Sequence, residues 1–256
     1  MSKRYLQIDA TSGIAGDMFS AALVDLLLKL HQQQTLADWR KQLIAAAENF
    51  AEPFKLEIEL EQVNRRGLMG QHLQFKVENA RKSVYFEKAK RDIINSVFEQ
   101  EVKEMALATL TKLAEVEAEL HGVALEKVHL HEAGSEDSIL DALSAAFLYQ
   151  HLGKPEVFYS TLAVAGRGKT SFSHGEVPLP VPASAALLQG YTLTFTEEER
   201  ELITPTGAAI VKNLQAKPMP EGLQATLVAS GYGAGSRELA SRPNILRINL
   251  LEEAHE

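Results

Sequence analysis

The order of apolar and polar positions along the chain divides it into recognisable elements. RYLQIDA, residues 4–10, reads as a short buried strand that runs into the turn TSGIAGD. MFSAALVDLLLKL follows and is apolar almost all round, which predicts a helix buried on every side, with Asp17 placed to cap its start. TLADWRKQLIAAA has the narrower stripe of an amphipathic helix. FKLEIELEQV and HLQFKVE alternate strictly and predict two half-buried strands, with RRGLMG as the turn between them. Residues 84–121 return to helical periodicity and predict two helices, YFEKAKRDIINSVFEQ and EVKEMALATLTKLAEVEAELHG, the second stopped at Gly122.

Shorter strokes follow. A helix is expected from Glu136 to His151, with Ser135 as its cap and with Gly153 and Pro155 ending it. EVFYSTLAV predicts a strand, followed by a turn rich in Gly and Ser. Pro178, Pro180 and Pro182 lead into a helix over ASAALLQ that stops at Gly190. Thr204 and Pro205 form a cap and first-position pair for TGAAIVKNL. TLVASGYGAG and NILRINLLEE supply two last strands. Helices and strands are mixed without strict alternation, so the expectation is an α+β protein, an irregular mixed α/β arrangement with a mixed sheet and packed helices. Residues 1–256 read as one unit, with two lobes meeting near 122–135.

Composition narrows the chemistry. The chain has 256 residues, 45% of them apolar and 23% charged, which is ordinary for a globular protein with a full core. It contains no cysteine, so any metal is held by nitrogen and oxygen ligands. The formal charge of −8 argues against binding a phosphate backbone, so nucleic acid is not an expected partner. AALVDLLLKL is broken by Asp25 and Lys29 and is too short to span a bilayer. No secretory apolar region opens the sequence, which makes the cytoplasm the expected location and excludes a membrane role.

Candidate chemistry concentrates in VHLHEAGSEDSILDAL, residues 128–143. If VHLHE is extended, His129 and His131 point to the same side and can share one ion, with Glu132 or a helix carboxylate as a further ligand. Nickel, manganese, iron and zinc all accept such a set. Glu136 and Asp137 in a first turn also suit the helix dipole without any ligand. Asp141 is harder to explain that way. At 100° per residue, Asp137, Asp141 and Ser144 form a thin polar stripe on an apolar helix, which implies carboxylates turned toward a partner inside the protein.

Four other segments suit anions or proton transfer. DATSGIAGD carries Asp9 at a strand end, then Ser12, Gly13 and Gly16 at a helix start, where free N–H groups suit a phosphate or carboxylate. It lacks the terminal Lys-Ser/Thr of a P-loop. His174 stands beside Gly175 on a proline-stiffened approach and can act as base or ligand near neutral pH. ELITPTGAAI offers Thr204, Thr206 and a helix start. GYGAGSRELASRPNILRINL offers Gly231, Gly233 and Gly235 for close backbone approach, with Arg237 and Arg242 as bidentate phosphate partners or simply as exposed arginines on a glycine-rich hairpin. A phosphorylated small molecule and a divalent metal would use both kinds of element. A metal-dependent hydrolase of such a molecule and a non-catalytic binding subunit both fit that description.

Five segments in this order, IDATSGIAGDMFSAAL, HLHEAGSEDSILD, SHGEVPLPVPASAALLQG, ELITPTGAAI and GYGAGSRELASRPNILRI, resemble the LarC family, the nickel-insertion proteins of nickel-pincer cofactor biosynthesis. The resemblance implies a lyase of the nickel chelatase type that inserts nickel into a pyridinium bisthiocarboxylate mononucleotide. It also implies cytidine triphosphate as co-substrate of full-length members, with manganese or magnesium. Under this resemblance His129, His131 and Glu132 hold or hand over nickel, with Asp137 or Asp141 orienting the imidazoles and Asp9 as a further candidate ligand. His174 or Glu132 takes the ring proton displaced when the nickel–carbon bond forms. The phosphate rests on the Ser12–Gly16 turn or against Arg237 and Arg242. Family members usually continue past the RPNILRI strand into a smaller domain associated with nucleotide triphosphate and metal. The 256 residues stop short of that domain, so the expectation is a separate chain that carries it, a longer protein of which this is a part, or a stand-alone relative with another role.

Overall fold

A computed structural model describes residues 3–78, 84–130, 136–172 and 175–254. His131, Glu132, Ser135 and His174 lie outside the described residues.

The chain opens with β1 (Arg4–Ala10), whose Leu6, Ile8 and Ala10 are fully buried on one side, and continues into α1 (Gly16–Lys29). Helix α1 is buried along nearly its whole length, as its all-round apolar character requires. Its cap is Ala15 and not Asp17. Asp17 is already the second helical residue, and its Oδ1 accepts from the Met18 N–H at 2.8 Å. The amphipathic α2 (Gln33–Glu48) buries Trp39 and Leu43. The alternating segments form the hairpin of β2 (Leu56–Arg65) and β3 (Leu68–Val77), whose turn is only Arg66–Gly67, so Leu68 to Gly70 of the expected turn belong to β3.

Then come β4 (Val84–Tyr85), α3 (Phe86–Ile94), α4 (Gln100–His121) and β5 (His129–Leu130), which pairs antiparallel with β4. Helix α5 (Glu136–His151) has the expected bounds. It touches α1, α2, α3, α4 and α7 as well as β3, which makes it the central helix and explains why almost every position on it is buried. After β6 (Glu156–Ala165) the Gly- and Ser-rich segment is a small hairpin, β7 (Lys169–Phe172) with β8 (Gly175–Pro178). Helix α6 (Pro182–Leu187) starts on proline, and the unforeseen β9 (Thr194–Thr196) follows. Helix α7 (Pro205–Asn213) is capped as expected, the Thr204 hydroxyl accepting from the Gly207 N–H at 3.2 Å. The two-residue β10 (Lys217–Pro218), then β11 (Ala225–Ala234) and β12 (Ile245–Glu253), complete the chain.

The principal sheet has the order β10-β6-β1-β12-β11-β3-β2, with β9 also beside β6. It is mixed, as expected: β1 runs parallel to β6 and antiparallel to β12, and β11 is parallel to β3. The expected α+β class is the observed one. Helix α1 packs across β3, β11 and β12, and the helical core lies behind it. Gly231 and Gly233 make that packing possible. A Cβ on Gly233 would lie 1.9 Å from the Met18 carbonyl oxygen, and one on Gly231 would lie 2.0 Å from that of Ala22. The close approach anticipated at these glycines is therefore made by a helix backbone.

Alternation along β1 sends Leu6, Ile8 and Ala10 to the helical core and Tyr5, Gln7 and Asp9 to the opposite face. There the side chains pair across to β12. Asn249 donates to Gln7 at 2.9 Å, and Arg247 meets Asp9 at 2.5 Å.

Candidate functional site: a cleft at three helix starts

Helices α1, α5 and α7 begin beside one another. The segment before α1 is stitched to the segment before α7: Ile14 N–H donates to Leu202 O at 2.9 Å, and Thr204 N–H donates to Ile14 O at 3.1 Å. Gly207 lets α7 approach, since a Cβ there would meet the Ile14 carbonyl oxygen at 2.3 Å. Gly16 does the same for α5, since its Cβ would lie 2.2 Å from Asp141 Oδ2. The hydroxyls of Ser138 and Thr206, 3.4 Å apart, link α5 to α7.

These starts enclose a cleft of about 350 Å³, lined by Ala15, Gly16 and Asp17 of the α1 start, by Asp137, Ser138 and Asp141 of α5, and by Thr204, Pro205 and Thr206. Leu73, Gln74 and Phe75 of β3 close one side. An adjoining arm of about 310 Å³ shares Ala15, Asp17, Thr204, Pro205 and Ser236, and adds Arg200, Arg237, Asn244 and Thr170. The two form one continuous groove with an acidic floor and an arginine-bearing arm.

The floor is electrostatically loaded. Burial pushes the Asp141 carboxyl well above the ordinary carboxylate range, and the like charges of Asp17 and Asp137 push it the same way. Asp141 Oδ1 has no hydrogen-bond partner among the described residues. Burial also raises Asp17; the Met18 N–H and His72 oppose the rise, and Asp137 adds to it. The positive ends of three helices face the same space and favour negative charge there. His72 of β3, 3.3 Å from the Ser236 hydroxyl, was not singled out in the sequence. It is one polar residue within an alternating strand, and only the packing of β3 on α1 brings it near Asp17.

The structure gathers some sequence candidates and separates others. Gly16, Asp137, Asp141, Thr204, Thr206 and Arg237 line the groove. Ser12 is buried, and Gly13 turns its α-carbon toward the Leu202 carbonyl. Arg242 donates to Thr11 O at 2.8 Å and lies 3.9 Å from Glu198. Asp9 is on the far face of the sheet with Arg247 and the Thr11 hydroxyl. His129 lies against Tyr85, ring centroids 3.6 Å apart and planes tilted by 45°, and is not among the groove-lining residues described. Its strand is extended, as the two-histidine argument required, but His131 and Glu132 lie outside the described residues. The thin stripe on α5 also divides: Asp137 and Asp141 reach the groove, while Ser144 accepts from the Trp39 indole at 2.9 Å. Among the described residues no three His, Asp or Glu side chains are grouped to hold an ion by themselves.

The fold is that of an α+β protein whose groove sets arginines beside carboxylates. Residues 6–256 match the family described as nickel insertion protein, and the chain belongs to that family. It is 37% identical over 248 residues to a putative nickel insertion protein of Geobacter sp. (strain M21), covering 96% of this chain and 61% of that protein. It is 34% identical over 263 residues to the pyridinium-3,5-bisthiocarboxylic acid mononucleotide nickel insertion protein of Akkermansia muciniphila, covering 99% of this chain and 61% of that protein. A protein of the same description from Staphylococcus epidermidis is 32% identical over 245 residues, at 95% and 58% coverage. The chain thus spans about three fifths of the length of these curated relatives. No solved structure matches it. Among the described residues, no helix is long and apolar enough to cross a membrane.

Proposed function

We propose that this chain takes part in inserting nickel into a pyridinium-3,5-bisthiocarboxylic acid mononucleotide, as a lyase of the metal-insertion type working in the cytoplasm. The reading rests on the family match along residues 6–256, in a chain whose groove has an anion-receptive arm next to an acidic floor. The mononucleotide phosphate lies against Arg237 and the helix starts at Gly16 and Thr204–Thr206, where backbone N–H groups and helix dipoles favour negative charge. Nickel, as substrate, is received by His129, His131 and Glu132. Formation of a nickel–carbon bond releases a ring proton, which His174 or Glu132 accepts. Cytidine triphosphate, with magnesium or manganese, serves the full reaction through the further segment that the longer relatives contain.

The test is incubation of the purified chain with the bisthiocarboxylate mononucleotide, nickel and cytidine triphosphate, alone and with the remaining segment of a longer relative. Mass spectrometry should show the mononucleotide gaining one nickel with loss of protons. If neither mixture yields the adduct while a full-length relative run in parallel does, the reading fails.

A further inference from the structure

The helix-dipole argument accounts for Asp17 and Asp137, each in a first turn. It does not account for Asp141, which lies a full turn deeper in α5. Its side chain is in the groove yet the residue is only 9% exposed, and one carboxylate oxygen has no partner among the described residues. A buried carboxylate oxygen without a partner is costly, so a group kept there is expected to have an occupant.

The neighbours identify the kind of occupant. Gly16 presents no side chain, and any Cβ on it would occupy the space held by the Asp141 carboxylate. Among the described residues, the charged groups acting on Asp141 are Asp17 and Asp137, both negative. His72 on β3 acts on Asp17 in the opposite sense. Ser138 and Thr206 add hydroxyl oxygens. The polar side chains of this floor therefore offer oxygen donors, and a set of carboxylates and hydroxyls suits a hard cation better than nickel, for which imidazole nitrogen is the better ligand. A small hard ion of this kind keeps several of its waters and takes one or two carboxylates plus substrate oxygens. The groove, at about 350 Å³, has room for that hydrated ion.

We propose that Asp17 and Asp141 hold one hard divalent cation of the magnesium class in this groove, and that the ion meets the phosphate or carboxylate oxygens of the anionic ligand reaching in past Arg237. The site rests on the groove's own atoms.

Manganese(II) is the probe. With the full chain, loss of the free-ion electron paramagnetic resonance signal on titration should report one saturable site, displaced by magnesium. Asp141→Asn and Asp17→Asn should each weaken binding about tenfold or more, and Glu221→Gln on an exposed loop should not. Circular dichroism and the fluorescence of Trp39 establish that each variant is folded; if Asp141→Asn is not, Asp17→Asn decides. No saturable binding to the wild type, or unchanged binding in the folded variants, overturns the proposal. The titration uses neither nickel nor mononucleotide, so its outcome is independent of the insertion assay.

Discussion

Gly16 and Asp141 occupy one another's space across two helices: the hydrogen that glycine carries in place of a Cβ leaves room for the Asp141 carboxylate. Substituting Gly16→Ala puts a carbon 2.2 Å from Oδ2 and 2.5 Å from Cγ, so either α1 or the Asp141 side chain has to move. Overpacking of this kind costs about 1–3 kcal/mol, more than the helix-propensity gain of an alanine. Urea titration should show the loss, and Gly16→Ala with Asp141→Ala should recover part of it. A neutral Gly16→Ala would show that the two helices are not in contact here.

Arg237 is, with Arg200, one of two exposed arginines in the groove's arm. A charge-assisted bond from it to phosphate predicts that Arg237→Ala weakens binding of the phosphorylated mononucleotide about tenfold, while binding of the dephosphorylated nucleoside stays the same. Calorimetry with both ligands checks this. Equal effects on the two would place the phosphate elsewhere.

Asp9 is tied to Arg247 across the sheet, on the face away from the helical core. An ion pair of this exposure contributes little, so Asp9→Asn should cost under about 1 kcal/mol in thermal unfolding and leave nickel and manganese stoichiometry unchanged. A lost metal equivalent would bring Asp9 into the ligand set.

Glu198 predicts an acid limb in stability. Its burial raises the carboxyl, but the hydroxyl and N–H of Ser241, the N–H of Ala240 and the charge of Arg242 outweigh this and leave it below its ordinary value of 4.5. A carboxyl depressed in the folded state contributes stability that is complete above the unfolded value and is lost as pH falls through the folded one. Glu198→Gln should therefore lower stability at neutral pH by about 1–3 kcal/mol and flatten the decline below pH 4.5. Melting temperature measured against pH for both proteins is the check, and parallel curves would contradict it.

How far the sequence could be read follows from the range of the forces involved. Helix α5 was placed end to end because its periodicity and its stops at Gly153 and Pro155 are local signals. The cap of α7 was placed for the same reason. Asp17 was misassigned as a cap because Asp at a helix start is favoured one position earlier, and only the chain path through Ala15 sets the register. Strands β9 and β10 were missed because three and two residues carry no usable period; the neighbouring β6 defines them. Gly231 and Gly233 advertised close approach, but the sequence does not say that the approaching group is α1.

Within the site the same division holds. The polar stripe of α5 pointed to an inward-facing Asp141, because a carboxylate among apolar neighbours calls for a partner, and Asp141 is indeed buried. That the partner space is the start of α1 and not the imidazole of His129 depends on how helices pack, which no local pattern encodes. The family, too, was readable from ordered short motifs. By itself the sequence determined most of the longer secondary elements, the mixed α+β class, the oxygen and nitrogen donor chemistry and the kinship, since each depends on residue type and spacing along one chain. Tertiary structure alone decided which carboxylates share a groove, that Asp9 sits on the other face of the sheet, that His72 acts on Asp17, and that Arg237 lines the groove's arm. Those relations join residues far apart in sequence, through packing that depends on the whole core.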